Sequence, residues 1–167
     1  MSLLNSIDYS DTKEFLEFDR NSLGSLVSIN ISGGGIPKTS IPSVRLTTKG
    51  LQGDGHHHEK HNNPLQAVCL WDVELLGDLC KEGFPLSVGT IGENLTLRDV
   101  NIQKLLPGNI LEFSGGVILE LTKERKPCYV LDAINPKLKE SILGRCGYYA
   151  KVISEGILAV EETIKIK

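Results

Sequence analysis

Val117-Ile118-Leu119-Glu120-Leu121-Thr122 is an alternating apolar run that predicts a β-strand leading into an exposed turn. Leu26-Val27-Ser28-Ile29-Asn30-Ile31 and Val44-Arg45-Leu46-Thr47 show the same period of two. Further short strands of this kind are predicted at residues 94–97, 109–113, 148–153 and 164–167. With 17 glycines to form the turns, many short strands favour a mainly β protein with a closed or nearly closed barrel over an alternating βαβ sheet.

Few helices are predicted. The buried-looking run Ala67 to Trp71 leads into a helix from Asp72 to Lys81, with Asp72 as its N-cap and Gly83 as its stop. A second helical region, Tyr129 to Leu143, is divided by Asn135-Pro136.

The length of 167 residues suggests one folded domain at residues 23–167, preceded by an acidic N-terminal extension at residues 1–22. No apolar stretch approaches the roughly 18 residues that a membrane-spanning helix needs. The net charge of −3 argues against a surface that binds nucleic acid. Four cysteines without a CxxC pair, and no secretory signal, indicate a reducing cytoplasmic setting.

Cys128 is the candidate reactive thiol. It follows Arg125-Lys126-Pro127, and two nearby cations favour the thiolate form that attacks electrophiles and binds metals. Cys69 and Cys80 are predicted to be small buried hydrophobes, and Cys146 has no assigned role.

A polar loop holds all four histidines, in Asp54-Gly55-His56-His57-His58-Glu59-Lys60-His61. This loop has three interpretations: a metal site, a solvated loop with incidental metal affinity, and an anion site that includes Lys38 and Arg45.

Two further motifs have a functional and a structural interpretation. Gly33-Gly34-Gly35 before Lys38-Thr39 is either a phosphate cradle or a plain glycine turn at a barrel corner. Glu93-Asn94 supplies an acid and an amide just ahead of a strand; Glu93 is a candidate general acid, and a turn that caps its own backbone is the alternative.

Six motifs occur in a fixed order along the chain: Gly50-Leu51-Gln52-Gly53-Asp54-Gly55-His56, Ala67-Val68-Cys69-Leu70, Gly92-Glu93-Asn94-Leu95, Leu106-Pro107-Gly108-Asn109, Pro127-Cys128 and Gly147-Tyr148-Tyr149-Ala150-Lys151-Val152. Through this combination the chain, from about Leu23 to Lys167, resembles the MOSC family. That family comprises the C-terminal domains of molybdenum cofactor sulfurases and their small stand-alone bacterial relatives. The resemblance implies a MOSC-type β-barrel with a few short peripheral helices.

The resemblance also implies a molybdenum–pyranopterin cofactor, with Cys128 as the metal ligand. Lys38-Thr39 match a Lys-Ser pair that holds the pterin phosphate in a mitochondrial amidoxime-reducing member of the family. Further cofactor contacts are then expected from Arg45, His56, His57 and Asn94, and a polar rim from Asp54, His56 and Glu93, with Asp54 and Glu93 taking catalytic roles. Gly55 stands where that member has an arginine, so one phosphate contact of the family is absent from this loop.

Three function classes follow. The first is a reductase of N-hydroxylated small molecules that is supplied by an external electron-transfer protein, since the sequence carries no flavin or iron–sulfur motif. The second is a sulfur carrier, with a persulfide delivered to Cys128 by a cysteine desulfurase. The third is a binding module for a phosphorylated ligand, with Cys128 inert. Pyridoxal phosphate is implied as a cofactor only by family association, because it belongs to a separate sulfurase domain that this sequence lacks.

Overall fold

The structure is a computed structural model, and it describes residues 23–55 and 63–167. Eleven strands lie in these ranges: β1 (Gly24–Ile31), β2 (Thr39–Ile41), β3 (Ser43–Thr47), β4 (Gly50–Leu51), β5 (Val68–Asp72), β6 (Leu95–Arg98), β7 (Ile110–Phe113), β8 (Ile118–Glu124), β9 (Tyr148–Ser154), β10 (Gly156–Ala159) and β11 (Thr163–Ile166). The described α-helices are α1 (Val73–Lys81) and α2 (Leu138–Ser141), and short 3-10 helices lie at Pro64–Gln66, Ile102–Lys104 and Tyr129–Ala133.

Seven strands form a closed barrel in the order β11-β7-β8-β9-β5-β6-β1, because β1 pairs again with β11. The closing register places Gly24 opposite Ile164 and Ser25 opposite Thr163. All neighbouring pairs in the ring are antiparallel except β5 with β6. This parallel pair requires a crossover connection, which consists of α1 and residues 82–94.

The remaining strands lie outside the ring. β2 pairs with the end of β1, and β10, β3 and β4 form a separate three-stranded sheet. These strands bring the loops that follow β1 and β4 to the same side of the molecule, since Gly55 N donates to Ser32 O at 2.7 Å.

Two hydrophobic clusters lie on opposite faces of the barrel wall. The larger cluster fills the barrel interior and includes Leu70 of β5 and Leu95 of β6. The second lies outside the wall, where α1, α2 and the 3-10 helix Tyr129–Ala133 cover Cys69 and Trp71 of β5. All five residues of β5 are therefore buried. The functional candidates described below gather around this outer cluster.

The mainly β barrel with short peripheral helices is confirmed, and the strands predicted from alternation are present with ends shifted by at most two residues. The prediction that Cys80 is buried was wrong: Cys80 is exposed, because it follows Leu79 on the outward side of the last turn of α1. Asp72 does precede α1, but its carboxylate accepts from Ile102 N at 2.9 and 3.1 Å and makes no side-chain cap bond to the helix.

Residues 1–22 and the histidine loop at 56–62 lie outside the described ranges, so the predicted N-terminal extension and the roles of His56 and His57 stay predictions. Within the described ranges, no helix has the length and apolar character needed to span a membrane.

Candidate functional site

Asp54 is the centre of a buried polar network. Its side chain is 1% exposed, and its Oδ1 accepts from Lys38 Nζ at 2.6 Å and from Ser32 N at 3.0 Å. Lys38 lies just before β2, and its side chain is 12% exposed. Because this ion pair is largely removed from water, each charge depends on the other for compensation. The Lys38–Asp54 pair therefore fixes the loops that follow β1 and β4 against each other.

Asn94 connects this pair to β5. Its Nδ2 donates to Asp54 Oδ2 at 2.9 Å, and its Oδ1 accepts from Cys69 N at 3.0 Å. The side chain is 5% exposed, so its amide is engaged inside the protein. The structure thus places Asn94 as a link that positions Asp54, and its direct contact with a cofactor stays a prediction.

Glu93 is fully buried, so its interpretation as part of a polar rim was wrong. Its Oε2 accepts from Thr96 Oγ1 at 3.3 Å, and its Oε1 has no hydrogen-bond partner among the described residues. Burial raises the pKa of Glu93 to about 7, against the smaller opposing effects of its hydrogen bonds and of Arg125. At neutral pH this carboxyl group is therefore close to half protonated. It is a group that can release or take up a proton under physiological conditions.

Arg125 has a role that the sequence reasoning missed. Its guanidinium is directed into the protein, where Nη2 donates to Ile91 O at 2.6 Å and Nη1 lies 3.5 Å from Cys69 Sγ. A Cβ at Gly92 would overlap Ile36 Cγ2 at 2.9 Å and would meet Arg125 Nη2 at an ordinary contact distance of 3.8 Å. No ion pair involves Arg125 within residues 23–55 and 63–167. This half-buried cation is thus held by neutral partners.

Cys128 is exposed and directly precedes the 3-10 helix Tyr129–Ala133. Burial raises the pKa of Cys146 to about 12, and the nearby Cys69 and Cys128 thiols add to this shift. Burial also raises the pKa of Cys69, although Arg125 opposes the effect. Burial thus keeps Cys69 and Cys146 in the protonated form, and Cys128 is the exposed thiol of the three.

The other predicted phosphate contacts lie apart from this network. Thr39 is exposed on β2 and Arg45 is exposed on β3 of the three-stranded sheet. Neither side chain hydrogen bonds to Lys38 or Asp54 in the described structure. Their roles as cofactor contacts stay predictions.

Gly55 cannot carry a side chain in this fold. A Cβ at this position would lie 2.2 Å from Gly33 O and 2.6 Å from Gly33 C. The loop of residues 33–35 therefore occupies the space that an arginine at position 55 would need. By contrast, a Cβ at Gly33 or Gly35 would meet no atom within 4 Å, so the surface of that glycine loop is open. Lys38 pairs with Asp54, the residue before Gly55, and Arg125 lies near Cys69.

A metal site made only of protein side chains is not formed in the part of the chain that the structure describes, where no three His, Cys, Asp or Glu residues are grouped to hold an ion. A metal held at Cys128 would therefore take its further ligands from a cofactor or from solvent, or from residues outside the described ranges.

The fold and the site define a β-barrel protein with an exposed cysteine beside a buried network of charged residues. Comparison with known families identifies the class further: the family model for the MOSC domain matches residues 54–165. The chain belongs to the MOSC domain family.

The chain is also similar to known proteins and to a solved structure. A protein described as "Reductase" from Gibberella moniliformis is 29% identical over 131 residues, which is 74% of this chain and 23% of that protein. The uncharacterized protein YflK of Bacillus subtilis is 28% identical over 134 residues, 75% of this chain and 59% of YflK. The chain thus spans about a quarter and about three fifths of these two relatives. The crystal structure of YiiM from Geobacillus stearothermophilus has the same fold, with a TM-score of 0.71 and 24% identity over 86% of this chain and 75% of that one.

Proposed function

We propose that this protein binds a molybdenum–pyranopterin cofactor through Cys128 and reduces N-hydroxylated small molecules with electrons from a separate protein. The observation that carries the proposal is an accessible thiol, Cys128, three positions after a half-buried arginine, Arg125, that makes no ion pair within the described ranges. Membership of the MOSC family and the similarity to a protein described as a reductase support it.

The described residues fit such a cofactor. A soft thiolate is a suitable ligand for a high-valent molybdenum centre. Arg125 lies three positions before Cys128 in the chain and makes no ion pair within the described ranges, so its charge suits an anionic phosphate, and the open backbone of Gly33 and Gly35 lets a ligand approach closely. Gly55 contributes no side chain to that contact.

When bound, the molybdenum centre supplies the two-electron redox change and an open coordination position for the oxygen of the substrate. Conversion of an N-hydroxy group to N–H with release of water consumes two protons as well as two electrons. Glu93 is the proposed local store for one of these protons, because its buried carboxyl is close to half protonated at neutral pH. Asp54 and Asn94 keep Lys38 and the β5 backbone in place, so they act as positioning residues.

The test compares molybdenum and pterin content in protein purified from a molybdenum-replete host. Wild type and Cys80→Ala are expected to retain the metal, and Cys128→Ala is expected to lose most of it. Cys80 is the matched control because it is the other exposed thiol of the described chain. Equal molybdenum in Cys128→Ala and wild type would defeat the ligand proposal.

A sulfur carrier is the second candidate, and the exposure of Cys128 favours it, since persulfide transfer requires an accessible thiol. Intact mass after incubation with a cysteine desulfurase and cysteine distinguishes the two functions. A gain of one sulfur atom that Cys128→Ala abolishes, in protein without molybdenum or pterin, would favour the carrier. Metal and pterin in stoichiometric amounts would favour the reductase.

A further inference from the structure

A second feature of the surface near Cys128 is a cleft of about 700 Å³. It lies where β8, β9, the 3-10 helix Pro64–Gln66 and the turn before β7 meet, and it is lined by Gln66, Leu106, Pro107, Lys123, Glu124, Lys126, Tyr148 and Tyr149. Its volume is in the range of sites that hold small organic ligands. The cleft shares no lining residue with the Lys38–Asp54 network, so it is a distinct binding surface.

The cleft extends toward the part of the chain that carries Cys128. Lys126 lines the cleft and lies two positions before Cys128 in the chain. Tyr149 of β9 lines it too.

Part of the cleft wall is apolar and aromatic. Leu106 is 69% exposed, and Pro107 follows it. Tyr148 and Tyr149 are successive residues of β9, so their side chains leave opposite faces of the sheet. The Tyr148 side chain is buried, and Tyr149 supplies the half-buried ring of the cleft. Apolar and aromatic surfaces of this kind bind flat organic rings by burial and stacking.

The charges of the cleft are unequal. Lys123 and Lys126 are exposed, and neither is in an ion pair with any residue that the structure describes. Lys123 Nζ lies 5.9 Å from the centroid of the Tyr149 ring, so its charge is held above an aromatic face. Glu124 is the one carboxylate among the lining residues, and its Oε1 is 3.5 Å from the Tyr148 hydroxyl. Two lysines against one glutamate leave this cleft positive in a chain whose net charge is −3.

We propose that this cleft is the substrate site and that it selects flat, ring-containing compounds that carry an anionic group, such as N-hydroxylated aromatic carboxylates. The ring binds against Leu106, Pro107 and Tyr149, and the anionic group is attracted by Lys123 and Lys126. This inference rests on the proposed function for its N-hydroxy group. The preference for an anionic ring is a property of the cleft itself.

The experiment measures binding, so it does not depend on turnover. Two probes are compared by ligand-observed NMR with the protein as purified: benzamidoxime, and the same compound with a carboxylate at the para position. Wild type is expected to bind the carboxylate probe about fivefold more tightly at low salt, since two exposed cations each contribute a modest attraction that salt screens. The double variant Lys123→Glu/Lys126→Glu is expected to lose this preference.

Lys165→Glu is the matched control, because Lys165 is an exposed lysine on β11, outside the cleft and outside every ion pair of the described chain. It is expected to keep the preference. Thermal unfolding of all three proteins checks that they fold alike. Equal affinity of wild type for the two probes, or a preference that survives in the double variant, would overturn the assignment. Molybdenum content reports on the proposed function separately, so a protein without metal that still prefers the carboxylate probe would refute the reductase and retain the anion-selective cleft.

Discussion

Asp54→Asn is expected to destabilise the protein strongly, although the substitution keeps the size and shape of the side chain. An asparagine that keeps its oxygen at the Oδ1 position still accepts from Ser32 N and Lys38 Nζ, but its NH₂ group then faces another donor, Asn94 Nδ2. Lys38 also loses the carboxylate that lies 2.6 Å away, while its own side chain is only 12% exposed. Breaking one partner of a buried pair costs about 3 to 5 kcal/mol, and the slight access of water to Lys38 puts our expectation near 3 kcal/mol.

Urea unfolding followed by fluorescence gives the free energy of unfolding, and thermal unfolding gives an independent measure. A loss of about 3 kcal/mol corresponds to a fall in Tm of roughly 6 to 12 °C for a chain of this size. The control is Asp132→Asn, which breaks a pair with Lys139 at 3.2 Å between side chains that are 44% and 38% exposed. That variant should lose less than about 0.5 kcal/mol. An Asp54→Asn protein as stable as the Asp132→Asn control would refute the view that the Lys38–Asp54 pair holds the two loops together.

Three further outcomes are expected. The folded protein raises the pKa of Glu93 from 4.5 to about 7, so the contribution of this group to stability is present below pH 4.5 and lost as the pH rises to 7. The free energy of unfolding of Glu93→Gln, measured in urea, should therefore rise by about 3 kcal/mol relative to that of wild type between these pH values. A difference between the two proteins that does not change with pH would contradict the raised pKa. Gly55→Ala should lower the free energy of unfolding by about 2 kcal/mol through its overlap with backbone atoms, whereas Gly33→Ala, whose Cβ meets open space, should change it by less than about 0.5 kcal/mol; similar values for both would show that the loops are not in tight contact. Labelling of cofactor-free native protein with a thiol reagent should show two fast thiols, Cys128 and Cys80, and two slow ones; four equal rates would contradict the burial described above.

The sequence predicts the barrel because most of its wall alternates. β8 and β9 have one face in the core and one toward solvent, so their period of two is visible in the amino-acid order. β5 lacks this signal, since the barrel interior covers one face and α1 with its neighbours covers the other. β2 and β4 were not predicted because they are only three and two residues long, and β10 was not predicted either.

The sequence predicts which residues belong to the site better than it predicts how their side chains are arranged. Polar residues near glycines indicated Asp54, Glu93 and Asn94, and their order in the motifs indicated Cys128. The direction of the Arg125 side chain was not predictable, because its partners, Ile91 O and Cys69 Sγ, lie 34 and 56 positions earlier in the chain. The burial of Glu93 was not predictable either, since a hydrophilic residue in a glycine-rich connection ordinarily lies on the surface.

The closure of the barrel has a consequence for the synthesis of the chain on the ribosome. Gly24 and Ser25 of β1 cannot form their strand pairing until Ile164 and Thr163 of β11 have been translated, about 140 residues later. Such distant pairing makes folding slow, and an unpaired strand edge can recruit other chains in the meantime. β2 is translated soon after β1 and pairs with residues 29–31 of it. β2, the small strand outside the ring, therefore limits the unpaired part of this edge of β1 to its first half until β11 has been translated.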